Sequence, residues 1–81
     1  MLIYRSGQLA AVIQNGTLEI RSLRDGYESS VGRGVLPSDP HPQWRSVVWS
    51  QDESMVACSH SSGSVHVYDV IGSQLFVIAK V

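Results

Sequence analysis

Two stretches of this 81-residue chain repeat each other. Gly16 falls on Gly63, and 63 − 16 gives a shift of 47 residues. Under that shift Leu18 meets Val65, Ile20 meets Val67 and Leu23 meets Val70. Ahead of the glycine, matching Leu9 to Met55 needs one extra residue in the second copy, which a longer loop at Ser61-Ser62-Gly63 supplies. A unit recurring within so short a chain cannot bury its apolar faces alone, so the copies must stack on one another.

Within each copy the apolar residues have the period of a strand. Leu9-Ala10-Ala11-Val12-Ile13-Gln14 is a nearly continuous apolar run, as expected of a strand covered on both faces. Asn15-Gly16 follows, the pair that most readily takes positive φ in a tight hairpin. Thr17-Leu18-Glu19-Ile20-Arg21-Ser22-Leu23 then alternates, with Leu18 and Ile20 on one face and Glu19 and Arg21 on the other. Asp25-Gly26 is a second turn signal, before a weaker strand over residues 27–31. Further strands are predicted over residues 44–50, 55–60, 64–70 and 74–79, making about seven and no helix.

Between the copies Gly32, Gly34, Pro37, Pro40 and Pro42 predict a surface loop over residues 32–43. The expected organisation is a partial first blade over residues 1–31, this loop, and a second blade over residues 44–81. A unit slightly above 40 residues, built of four strands, is the pattern of a β-propeller blade. The predicted fold is all-β: about two consecutive four-stranded antiparallel blades, with the ring incomplete. Two blades leave an apolar face bare at each end, so the chain is expected to be a fragment, or to associate in order to fold.

Composition narrows the function. Charged residues make up 16% and the net charge is −1, with Arg5, Arg21, Arg24, Arg33, Arg45 and Lys80 scattered. Nucleic-acid binders cluster their cations, so direct contact with nucleic acid is not expected. The one cysteine, Cys58, has no internal disulfide partner, which fits a reducing, cytoplasmic compartment. The longest apolar runs, residues 9–13 and 75–79, are five residues each. A spanning helix needs about 20, so any membrane association must run through partners.

Candidate sites are sparse. Cys58, His60 and His66 could offer metal ligands, but no second ligand pair completes a zinc set, and neither metal nor cofactor is expected. Ser61, His66 and Asp69 are triad residue types without a nucleophile-elbow context, so no catalytic residue is assigned and no enzyme is expected. Gly32-Arg33-Gly34 lacks the Gly-Lys-Ser/Thr ending of a phosphate loop. Trp44 and Trp49 could stack on single-stranded RNA, yet packing of the first strand of the second blade is expected of them. Structural turn and blade roles fall to Gly16, Asp52, Gly63, Tyr68, Asp69, Trp44 and Trp49. Asp52 is expected to bond turn N–H groups. A partner-facing loop is expected around Asp39, His41 and Arg45.

The string Trp49-Ser50-Gln51-Asp52, followed by Ser62-Gly63-Ser64-Val65-His66-Val67-Tyr68-Asp69, resembles a WD-repeat blade, with Tyr68-Asp69 where that family places Trp-Asp. The first copy has Arg21-Ser22 there, and neither copy has the Gly-His element. Residues 9–78, including Asp39-Pro40-His41-Pro42-Gln43-Trp44, resemble more closely the N-terminal propeller region of the neuroblastoma-amplified sequence family. That resemblance implies a β-propeller at the start of a very large cytosolic protein with a long α-helical region. It further implies a place in an endoplasmic reticulum tethering complex with SNARE partners, acting in Golgi-to-endoplasmic-reticulum retrograde transport. A link to nonsense-mediated mRNA decay is the alternative the family suggests, beside a generic WD-repeat scaffold. No small-molecule substrate is implied, and the WD-repeat resemblance implies that Asp69 anchors a turn as the aspartate of that family's Trp-Asp pair does.

Overall fold

The alternation read from the sequence becomes eight strands in the computed structural model, which describes residues 2–26 and 29–79, without the side chains of Leu2, Asp25 and Trp44. They are β1 (Leu2–Arg5), β2 (Leu9–Gln14), β3 (Thr17–Ser22), β4 (Ser30–Val35), β5 (Val47–Trp49), β6 (Met55–Ser59), β7 (Val65–Asp69) and β8 (Gln74–Ile78). β1 to β4 form one antiparallel sheet in chain order and β5 to β8 a second. Short 3₁₀ turns occupy Leu23–Asp25 and Pro42–Trp44, and no α-helix occurs among the described residues.

Two expectations are corrected. The first sheet has four strands, because Leu2–Arg5 pairs with β2, Tyr4 opposite Ala11. The loop expected from Gly32 begins only after Val35, since Ser30–Val35 is an edge strand paired to β3. Gly32 and Gly34 serve there as residues without a Cβ: at Gly34 an added Cβ would run into the Gly72 carbonyl, and at Gly32 into the backbone of Ile71. The edge of the first sheet thus lies against the β7–β8 turn, and Arg33 N–H donates to Ile71 O at 3.2 Å. Of the strand expected over residues 27–31, Tyr27 and Glu28 lie outside the described residues.

The Asn15-Gly16 turn has the expected geometry, both residues at positive φ (52° and 75°). It sets the β2–β3 register so that Ala11 faces Ile20 and Ile13 faces Leu18. These four side chains meet Leu36 and, from the second sheet, Val56, Cys58 and Tyr68, in one core cluster flanked by Tyr4, Leu9, Val47 and Trp49. The core is therefore the seam between two stacked sheets.

The stacking is head to tail. Leu18 and Ile20 point into the seam, but their repeat equivalents Val65 and Val67 stand on the far face of the second sheet. Val67 pairs with Phe76 there, and Tyr68, one residue on, points back into the seam. Each sheet thus presents the same face in the same direction, as successive blades about a common axis do. The far face of the second sheet, with Val48 (65% exposed), Phe76 and Ile78, is bare.

Candidate protein-interaction site

The connector between the sheets, residues 36–46, is anchored from both sides. Leu36 N–H donates to Gly16 O at 2.8 Å, and Leu36 is buried in the core. Three residues on, Asp39 turns its carboxylate inward, its side chain 0% exposed. It accepts from the N–H of His41 at 2.9 Å and from both the N–H and the hydroxyl of Ser61, the N–H at 3.1 Å. Arg45 stands 3.8 Å from Asp39, too far for a hydrogen bond, and its guanidinium reaches Pro37 O at 3.4 Å. Loss of water pushes the Asp39 pKa up. The Ser61 hydroxyl, the His41 and Ser61 amides and the nearby His60 ring outweigh this and hold it at about 2.

His60 ties the same connector to the β6–β7 loop. Its Nδ1 accepts from Ser62 N–H at 3.0 Å while its Nε2 lies 2.8 Å from Ser38 O, so Nε2 carries the hydrogen. Of the three residues expected to face a partner, Asp39 and Arg45 are thus turned inward (Arg45 side chain 6% exposed), and His41 is exposed. Beside them lies a cleft of about 530 Å³, lined by Ile13, Asn15, Gly16, Pro37, Pro42 and Arg45 among others. Its walls combine rigid prolines with a hairpin tip, and the anchoring network fixes their spacing.

The turn residues take defined places. Asp52 accepts from the N–H and hydroxyl of Ser54 and from the hydroxyl of Ser50. Those bonds, Ser54's first, hold its carboxyl at about 2. Asp69 accepts from the N–H groups of Ile71 and Ser73 at 3.0 and 2.9 Å, closing the β7–β8 turn. Gly63 N–H donates to His60 O at 2.9 Å in the β6–β7 loop. Trp49 and Tyr68 stitch the sheets together, the indole donating to Tyr4 O at 2.9 Å and the phenol to Val35 O at 3.2 Å. Trp44 closes the 3₁₀ turn before β5, and its side chain is outside what the structure describes.

The triad types do not converge. The Ser61 hydroxyl is bound to Asp39, His66 meets Ser64 and Gln74, and Asp69 is engaged by backbone. Cys58 is buried directly across from His66, and burial pushes its thiol up to about 11. Among the described residues no three His, Cys, Asp or Glu side chains group to hold a metal. Gly32-Arg33-Gly34 lies in an edge strand rather than a loop. The sequence reading passed over Ser61 as an anchor and Glu19 as an ion-pair centre, because both depend on pairing across strands.

The sequence family described as "Neuroblastoma-amplified sequence, N terminal" matches residues 1–81, the whole chain. The chain belongs to this family. A human relative, the "NBAS subunit of NRZ tethering complex", is 43% identical over 79 residues. That alignment covers 98% of this chain and 3% of the relative, so the chain spans a small part of that protein's length. No solved structure matches. The relative's name makes it a subunit of a tethering complex, and hence a protein with protein partners. No helix among the described residues is long and apolar enough to cross a membrane.

Proposed function

We propose that this chain forms two neighbouring blades of a β-propeller that serves as a non-catalytic protein–protein interaction module in a tethering-complex subunit. The observation that carries this reading is the alignment of 98% of this chain with a 3% stretch of a named tethering-complex subunit, at 43% identity. The head-to-tail stack supports the propeller, since Val48, Phe76 and Ile78 stay exposed on the face of the second sheet equivalent to the one on which Leu18 and Ile20 of the first are covered. The module works on the cytoplasmic side of the endoplasmic reticulum, held there by its partners, in Golgi-to-endoplasmic-reticulum retrograde transport. Those partners are other tethering subunits and SNAREs, and the cleft beside the connector is the surface offered to them.

The test is made in the full-length protein containing this region, with Asp39→Ala and Ser61→Ala releasing the connector. Capture of tethering subunits and SNAREs and the return of a retrograde cargo should fall together. Unchanged capture and cargo return would overturn the proposal.

A further inference from the structure

Arg45 differs from the other arginines that stand beside a carboxylate. Arg21 and Arg33 meet Glu19 directly, Arg33 at 2.8 Å with its side chain 69% exposed on the outward face of the first sheet. Arg45 is neither solvated nor closely paired. Its side chain is 6% exposed, Asp39 lies 3.8 Å away, and the one hydrogen bond of its guanidinium, from Nη2 to Pro37 O, is long at 3.4 Å. Its Nε and Nη1 find no acceptor among the described residues. A guanidinium taken this far out of water costs stability unless its donors are met.

No fully enclosed side-chain nitrogen or oxygen among the described residues lacks a hydrogen-bond partner, so the idle donors of Arg45 reach open space. The space Arg45 lines is the cleft of about 530 Å³ beside the connector. It opens at the loop end of the seam, where the Asn15-Gly16 hairpin meets the connector through Leu36 N–H and Gly16 O. Both walls belong to these two adjacent sheets, so a further blade on either outward face does not fill it. Pro37 and Pro42 give it rigid apolar surface without N–H groups, and exposed Asn15 adds an amide that both donates and accepts. The charge of the occupant follows from Asp39. That carboxylate is ionised and already 3.8 Å from the guanidinium, so it repels a second one. A carbonyl brings the missing acceptor without a charge. Carbonyls of a helix or an inner strand are engaged by their own backbone, so the acceptor must come from an extended segment.

We propose that the cleft receives an extended, uncharged segment of a partner protein, with a backbone carbonyl accepting from Arg45 and an apolar side chain lying between Pro37, Pro42 and Ile13. The proposal rests on the reading of this region as a protein-interaction module and specifies the chemistry of what it takes.

The test uses the full-length protein containing this region, with Asn15 replaced by the photo-crosslinker benzoylphenylalanine. The probe is a short acetylated and amidated peptide of alternating Leu and Gln, with matched Leu and Glu and Leu and Lys peptides run in parallel. The Leu and Gln peptide should crosslink saturably, more strongly than either charged peptide and with little dependence on salt. Arg45→Met, which keeps the stem and removes the donors, should weaken it about tenfold, the loss of one charge-assisted bond. Pro42→Asp, at an exposed place on the wall, should weaken it as well. An unchanged limited-proteolysis pattern verifies that each variant is folded; should Arg45→Met fail that check, Pro42→Asp decides. Absent or non-saturable crosslinking, equal or tighter binding of the Glu peptide, or insensitivity of a folded variant would each overturn the proposal. Partner capture is measured on the same preparations. Capture of tethering subunits without peptide crosslinking overturns this proposal alone, whereas saturable crosslinking in a protein that captures none of them overturns the tethering role alone.

Discussion

Tyr68 and Val35 sit in different sheets, and the phenol of one donates to the carbonyl of the other at 3.2 Å. Tyr68 is almost fully buried, so this bond lies inside the seam, at the start of the connector that leads from one repeat to the next. With the Trp49 indole on Tyr4 O it forms a pair of side-chain hydrogen bonds that flank the apolar core of the joint.

Removing the hydroxyl leaves the Val35 carbonyl without that donor while the ring still fills the core. Tyr68→Phe is expected to destabilise the chain by about 1 kcal/mol, the net worth of a buried neutral hydrogen bond. Urea unfolding checks this, with the midpoint lowered and the slope unchanged.

The close approach of β4 to the β7–β8 turn makes a sharper prediction. A methyl at Gly34 meets backbone at Gly72, which cannot swing aside as a side chain would. Gly34→Ala should therefore cost about 1–3 kcal/mol, as overpacking does. Alanine at Gly26, where nothing lies within 4 Å, meets only its own positive-φ strain. Thermal melting of the two variants separates contact from conformation.

Acid stability should follow Asp39 and Asp52, each held at about 2 by hydroxyl and amide donors. A carboxyl depressed in the folded state binds its proton more readily when unfolded. Its stabilisation is therefore complete above the ordinary carboxylate pKa near 4 and lost as pH falls toward 2. Melting temperature should drop across that interval. Asp39→Asn should lower it at pH 7 and narrow its difference from the parent at pH 2; a constant difference across the range would contradict the assignment.

Much of this fold could be read from residues alone. Asn15-Gly16 specified its hairpin, and the alternation around Leu18 and Ile20 specified which face is buried, because turn chemistry and period are local. β1 gives no signal in the sequence because its four residues do not resemble β5, the strand in the equivalent place, and have no turn pair of their own. β4 was missed because Gly32 and Gly34 look like loop residues until the turn at Ile71 and Gly72 is placed against them. The same limit applies to the site. Asp52 and Asp69 bond within a few residues and were legible, whereas Asp39 is fixed by Ser61, 22 positions away. Only the stacked structure brings that pair together.

Cys58 is predicted to be chemically quiet. Its thiol is raised to about 11 because it is buried in the seam, with the Arg45 charge only partly offsetting the loss of water. At pH 8 the thiolate is scarce and access is closed. Iodoacetamide should label the folded chain far more slowly than the same chain in urea. Equal rates would mean that the seam opens as readily as it closes.

The bare face of the second sheet gives the last prediction. Val48, Phe76 and Ile78 lie together on it, exposed, with Val65 and Val67 between them. An apolar face of this kind on an isolated chain associates with whatever apolar surface it meets. The 81-residue chain should sediment as concentration-dependent oligomers. Val48→Asp puts a charge on that face at a position already open to water, so it should leave stability within about 0.5 kcal/mol of the parent. The same change should shift sedimentation toward the monomer, while Arg33→Gln on the opposite face should not. A parent chain that is monomeric at all concentrations would mean that this face needs no cover, and would remove the main physical support for further blades beside it.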